Sequence, residues 1–425
     1  MKFQVKNWIQ KYDLRLLDWS LGFLFISIIF IEAGNKGDFH IYLQASRDLF
    51  KGENIYGKHY HEWFHYYYDL LFATVLYPFS FLPLYLANLI WLLFNGFLTI
   101  LLIRRIWSFI PNCHWSERSK RNLSYLAMFI LFFTWQKNMN VGQITLLILY
   151  LSIESFYQIR KGNYVRGGAL LGLGISIKIM PLVLIPYLLY RGYFKAILVS
   201  LSFLAVFTLF PILLIGFKQW EFLQSERINL INPSNAIHVL DVEERSFHSL
   251  TTLMTILFIE NARNNFTLDY KRNIADVGIE NLKLIILVVR IFFIGLTLYF
   301  LDKNIFKPAK SPLNDLYALS YVLLITPLIF PHQQPYAFFF AFPAIFFVLY
   351  QIKEMRMAGN FPTGFKAYLI YAGLGLIFVL LNTHFYLGFL RGIMDHYKFF
   401  TYGVLLIIPF LMYFRPQKIK SHSVS

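Results

Sequence analysis

Residues 196–216 read AILVSLSFLAVFTLFPILLIG, a run without a single charged side chain. At about 1.5 Å of rise per residue, a helix of this length spans about 30 Å, the thickness of a bilayer's hydrocarbon core. Working outward, comparable runs recur at 84–104, 314–331 and 367–385, separated by short loops rich in lysine and arginine. The whole chain of 425 residues is 57% hydrophobic and 19% aromatic, and only 15% of it is charged. Soluble chains carry about 25% charged residues, so this one is built to dissolve in lipid. A cytosolic enzyme, a nucleic-acid binder and a disordered tail protein are all excluded. The single cysteine, Cys113, excludes an intramolecular disulfide framework and a cysteine-rich zinc site.

The apolar pattern predicts an all-α polytopic membrane protein with about twelve crossings, at 16–33, 84–104, 121–136, 143–159, 166–177, 180–190, 196–216, 283–301, 314–331, 335–350, 367–385 and 399–414. The fifth and sixth are too short to cross alone. They read as a hairpin dipping in from one side, with Lys178 and Pro181 near its tip. The net charge of +16 sorts by loop. Lys2, Lys6, Lys11 and Arg15, then Arg104, Arg105, Arg118, Lys120, Arg121, Arg160, Lys161, Arg166, Arg191, Lys195, Lys303, Lys307, Lys310, Lys353, Arg356, Lys366, Arg415, Lys418 and Lys420 fall on one face. Positive charge marks the cytoplasmic side, so both termini are expected there, in a cell inner (plasma) membrane. The excess is a topology signal and requires no nucleic acid. The first apolar run lacks a small-residue cleavage site, so it reads as a span and not a cleaved signal peptide.

Two loops on the opposite, extracytoplasmic face are long: 34–83 and 217–282. Both belong to one integral membrane domain covering 1–425. Within the first, 39–51 places Phe39, Tyr42, Ala45 and Leu49 on one helical face, as expected of an amphipathic helix lying on the membrane. The stretch 70–82 is apolar, short and broken by Pro78, which suits a second interfacial or re-entrant helix. Residues 247–259 are apolar but too short to span comfortably. Polar chemistry thus collects outside, over a helical body.

Asp38, just beyond the first span, is the leading candidate for chemistry. Its other reading is a helix N-cap, and the two roles can coexist. Gly37-Asp38-Phe39-His40-Ile41-Tyr42, followed by Leu49-Phe50-Lys51-Gly52-Glu53-Asn54-Ile55-Tyr56, resembles the first outer loop of glycosyltransferase family 87, whose members have a GT-C-type fold and use polyprenyl-phosphate-linked sugars. Further similar segments follow in the family's order: Tyr77-Pro78 with Leu82-Pro83, Asn140-Val141-Gly142-Gln143, the run Gly168 to Pro181, His248-Ser249-Leu250, Thr326-Pro327 and Pro331-His332-Gln333.

The resemblance implies an inverting transfer of a sugar, mannose by default, to a hydroxyl of a lipid-linked or cell-envelope glycan. Prenyl phosphate leaves as a stabilised anion and needs no protonation. One carboxylate then suffices, where glycoside hydrolysis uses a pair. Asp38 would take the proton of the attacking hydroxyl, and Lys178 and His332 would bind the donor phosphate. Asn140, Gln143, His248, Ser249 and Gln333 would contact sugar or acceptor. The expected partners are the polyprenyl-phosphate sugar, a glycolipid or glycan acceptor and membrane lipids, with no cofactor and no metal. Two rival classes are a transporter or flippase for lipid-linked sugars, and an O-antigen polymerase or ligase, for which Arg227, Arg245 and Arg263 in the second outer loop would speak.

Several signals read as structural. Gly168-x-x-x-Gly172 suits close helix packing. His59, His61 and His65 have metal-like spacing, with His61 and His65 one helical turn apart, in a segment otherwise typical of an interface. Asp69 reads as a cap. Glu154 and Arg290 either pair within the membrane or snorkel. The Phe-rich run Ala337–Tyr350 reads as packing or lipid-facing surface.

Overall fold

A computed structural model describes residues 16–61, 64–110, 113–232, 247–260, 262, 268–386 and 388–416. Glu62, Arg245, Arg263 and the terminal cations Lys2, Lys6, Lys11, Arg15, Lys418 and Lys420 lie outside the described residues. Among those described, the chain forms helices and no strand beyond an isolated Tyr60–Phe64 bridge.

Helix α1 (Leu16–Glu32) leads into α2 (Asp38–Phe50) and α3 (Leu70–Leu76), followed by α4 (Leu84–Trp107). Next come α5 (Glu117–Ile130), α6 (Phe132–Val141), α7 (Thr145–Arg160), α8 (Tyr164–Ile177), α9 (Leu184–Tyr190) and α10 (Phe194–Leu209). After α11 (Phe217–Ile231) and α12 (Leu250–Phe258) the chain continues as α13 (Gly278–Phe300), α14 (Pro312–Ile329), α15 (Phe342–Met357), α16 (Gly364–Leu381) and α17 (Phe399–Tyr413). Among the described residues, six helical segments are long and apolar enough to cross a membrane: Leu84–Trp107, Phe194–Ile215, Gly278–Phe300, Pro312–Ile329, Pro335–Met357 and Gly364–Leu381. Taking α6 and α7 together as one bent span raises the number to seven, with a 117° bend between them. Helix occupies every expected crossing, but about twelve full crossings are not reached by this measure.

The expected hairpin is α8 followed by a short 3₁₀ turn and α9. Its tip lies at Lys178, where the Asp69 N–H donates to the Ile177 carbonyl at 3.4 Å. Small residues let α8 sink between its neighbours. A Cβ on Gly172 would lie 2.8 Å from the Ser200 carbonyl oxygen of α10, and one on Gly167 would lie 2.8 Å from the Ser155 oxygen of α7. These glycines are packing surfaces, as close helix approach requires.

At the far end of the hairpin, charges that the sequence suggested were merely exposed loop cations form a buried network. Arg160 pairs with Asp315, Arg191 lies 3.5 Å from the same carboxylate and bonds Asp302, and the Tyr187 hydroxyl donates to Asp315 at 2.8 Å. Arg191 is 1% exposed and Asp315 fully buried. Glu154 pairs with Arg105 and not with Arg290, which instead donates to Thr251 at 2.6 Å. Arg105 and Glu154 lie toward the same end of their helices, which Arg290 does not share.

The first long loop differs from a pair of helices lying on lipid. In α2, Phe39, Tyr42, Ala45 and Leu49 are all buried, but so are Ile41, Leu43 and Ser46 on other faces. Helix α3 is likewise buried at Leu70, Leu71, Phe72, Ala73 and Leu76. The apolar stripe of α2 meets protein, with Phe39 stacked on Trp91 at 5.0 Å and Tyr42 edge-on to Phe72 at 5.3 Å. The Phe-rich run 337–350 is buried throughout and is packing.

Because the fully buried Asp315 pairs with the part-buried Arg160 and lies beside the buried Arg191, Asp315→Asn leaves Arg160 without its carboxylate in the hairpin's base. The expected cost is about 3–5 kcal/mol, read as a lowered unfolding midpoint in detergent.

Candidate active site

The position of Asp38 follows from two glycines. A Cβ on Gly37 would lie 2.5 Å from the Cα of Val141, so only glycine lets the loop backbone rest on the turn after α6. Gly142 ends α6 with a left-handed φ of +64°, and a Cβ there would lie 2.7 Å from the Cβ of Phe39. The two backbones therefore touch. Trp91 Nε1 donates to the Gly142 carbonyl at 2.8 Å, and Asn88 Nδ2 donates to the Asn35 carbonyl at 2.8 Å, so α4 holds both sides of the contact.

Gly37 is the N-cap of α2, and Asp38 is its first helical residue. The N-cap reading of Asp38 is thus displaced by one position. Its side chain, half-buried, instead accepts a hydrogen bond at Oδ2 from Gln143 Nε2. The Gln143 Oε1 accepts from the Tyr68 hydroxyl at 3.1 Å, and Tyr68 accepts from the Tyr42 hydroxyl at 2.9 Å. Burial, with Asp38 nearby, pushes both phenols well above their ordinary value, so they are neutral donors at any working pH.

Lys178 completes this group. Its ammonium lies 5.5 Å from the Tyr68 ring and 5.9 Å from the Tyr336 ring, within cation–π range, and the charge of Asp38 reaches it. Asn138 Nδ2 fixes Tyr336 by donating to its carbonyl at 2.9 Å.

The remaining candidates divide. Asn140 caps no helix; its Nδ2 donates to Glu32 at 2.8 Å, a buried carboxylate that also accepts from Asn35 and from Gln136. Ser249 N-caps α12, accepting from the Thr252 N–H at 3.2 Å. His248 is buried with its ring 4.8 Å from Phe400, and its backbone N–H donates to the Gln333 carbonyl at 2.8 Å. Gln333 Nε2 donates to the Pro331 carbonyl at 2.7 Å. His332 takes a left-handed φ of +55° and sits edge-on to Phe247 at 5.1 Å. His248, Ser249, His332 and Gln333 therefore form a second cluster, joined to Lys178 along the chain through Tyr336. Tyr42, Tyr68, Tyr336 and Glu32 were not among the sequence-based candidates. Only the run of tyrosines at 66–68 hinted at them, and it also suits an interfacial belt.

Asp69 does cap α3, accepting from the Leu71 N–H at 3.0 Å, and it pairs with Arg227. That arginine is a structural partner of the first loop. The described residues 59–61 and 64–65 are not helical, which departs from the helical spacing expected of His61 and His65. His61 Nε2 instead lies 2.8 Å from His40 Nδ1, and the rings of His59 and His65 are 4.3 Å apart. Among the described residues no three metal-binding side chains converge.

A polytopic helical membrane protein with a carboxylate, an amide and an ammonium gathered at one end of its helices is the class that this geometry defines. Residues 66–267 match the family model of glycosyltransferase family 87, which makes that stretch similar to this family of glycosyltransferases. The match contains Tyr68, Asn140, Gln143, Lys178, His248 and Ser249, while Asp38, His332 and Gln333 lie outside it. No curated protein matches the chain significantly.

Two outcomes test this geometry. Gly37→Ala forces a Cβ into the Val141 backbone, which has no flexible end to yield. Transfer activity is expected to fall at least about tenfold, with a stability loss of about 1–3 kcal/mol by thermal unfolding. His40 is held below its ordinary pKa by burial and by His61, so its neutral form favours the folded state. The stability from that contact is present above about pH 6.5 and is lost as pH falls through the lower, folded value. The hydrogen-exchange protection of the 57–61 backbone, relative to the intrinsic rate at each pH, is expected to fall on acidification.

Proposed function

We propose that the protein is an inverting hexosyltransferase that moves a sugar, mannose by default, from a polyprenyl phosphate to a hydroxyl of a lipid-linked or cell-envelope glycan. It does so on the extracytoplasmic face of a cell membrane, as a single GT-C-type domain with about twelve membrane helices and cytoplasmic termini. The observation that carries this reading is the placement of Lys178 within electrostatic reach of Asp38. The Lys178 ammonium has no hydrogen-bond or salt-bridge partner among the described residues, yet it is fixed between two tyrosine rings within the field of a carboxylate. A cation so held favours an anionic ligand, and a lipid phosphate supplies one at this depth. The placement of basic loops at the Arg160–Arg191 end supports an outward-facing Asp38 end.

Asp38 accepts the proton of the acceptor hydroxyl as that oxygen attacks the anomeric carbon from the face opposite the phosphate. The bond to phosphate breaks with its electrons on the leaving oxygen, and Lys178 stabilises that charge. Configuration inverts. The His248, Ser249, His332 and Gln333 cluster, and Asn140 on its separate turn, are proposed contacts for donor and acceptor.

With synthetic undecaprenyl-phosphate-mannose and a membrane lipid extract as acceptor source, the wild type is expected to transfer sugar. Asp38→Asn should reduce transfer by at least about a hundredfold. Lys178→Met should chiefly weaken donor use, raising the donor KM by about tenfold or more. Unaltered transfer in Asp38→Asn would remove Asp38 from this role. Vesicle uptake of the lipid-linked sugar without any transfer would point to a transporter instead.

A further inference from the structure

The amide of Gln143 has a fixed sense. Its Oε1 accepts both from the Tyr68 hydroxyl at 3.1 Å and from the Ile144 backbone N–H at 3.2 Å. Turning the amide over would set two buried donors against an NH₂ group and leave them unsatisfied. Nε2 is thereby committed to the Asp38 carboxylate. Tyr42, Tyr68 and Gln143 are all buried, and the donation runs one way: Tyr42 to Tyr68, Tyr68 to Gln143, Gln143 to Asp38.

We propose that Gln143 and Tyr68 are positioning residues that hold Asp38 anionic and in one orientation, and that Gln143 does not read the sugar. This rests on the reading of Asp38 as the base. A base must be ionised before the acceptor arrives, and partial burial opposes that. Lys178 favours the anion, but a bound donor phosphate would share its charge. The donation from Gln143 is independent of the donor and persists when the phosphate is in place. Tyr68 serves twice, with its hydroxyl on Gln143 and its ring beside Lys178.

The test uses the purified full-length protein, undecaprenyl-phosphate-mannose and the membrane lipid extract, with kcat and KM measured across pH. Removing a donor from the carboxylate raises its pKa, so activity should require a higher pH. In Gln143→Leu, kcat should fall about 10–100-fold with the donor KM within about twofold, and the acid limb of the profile should move up by about one pH unit. Tyr68→Phe, which keeps the ring, should give smaller changes of the same sign and carries the test if Gln143→Leu does not fold.

A second readout is independent of turnover. Carbodiimide modifies protonated carboxyl groups, and peptide mass spectrometry follows Asp38 labelling across pH. Labelling should extend about one pH unit higher in Gln143→Leu. A raised donor KM with an unmoved acid limb, or an unchanged labelling midpoint, overturns the proposal. If Asp38→Asn still transfers sugar while the labelling midpoint moves, the base reading fails and the positioning contact stands.

Discussion

The backbone contact between Gly37 and the Val141–Gly142 turn is the constraint on which the site depends. It joins the first loop to the bend between α6 and α7 without any intervening side chain. A hydrogen bond to a carboxylate is directional and short, so its donor and acceptor must be placed within a fraction of an ångström. Two backbones in van der Waals contact provide that precision more rigidly than long side chains could. Phe39 on Trp91, and the Trp91 bond to Gly142, then prevent the turn from sliding.

The second support comes from the opposite end of the bundle. Lys178 sits on a hairpin whose base is tied by Arg160, Arg191, Asp302 and Asp315. Helix α8 has 14 residues, so the tip stands about 21 Å above that network. Its depth is therefore set by helix length and by glycine packing on α7 and α10. Neither support involves a residue that would touch a substrate.

The helical body was legible in the sequence because apolar runs and basic loops are one-dimensional signals, and every expected segment proved helical. Asp38, Gln143 and Lys178 were also legible as candidates, and the structure brings them together. Their relationships were not. Gln143 and Asp38 are separated by 105 residues, and nothing in local spacing says that an amide at one will face a carboxylate at the other. The 39–51 stripe correctly marked a buried face, but sequence could not say whether lipid or protein would cover it. Arg160 and Arg191 read as loop charges for the same reason: the pairing of Arg160 with Asp315 across 155 positions leaves no periodic trace. Tyr68 and Tyr336 were hidden by composition, since a chain with 28 tyrosines offers no reason to single out two.

The long reach of these contacts also orders the protein's assembly in time. Helices enter the bilayer from the N-terminus onward, so α1 and α2 emerge well before the turn at Val141 exists. Until then Glu32 lacks Gln136 and Asn140, and Asp38 lacks Gln143. Closing loops of this size carries an entropic delay that only later packing repays. The two carboxylates therefore gain their amide partners only once the turn at Val141 has been made, and the hairpin bearing Lys178 follows later in synthesis.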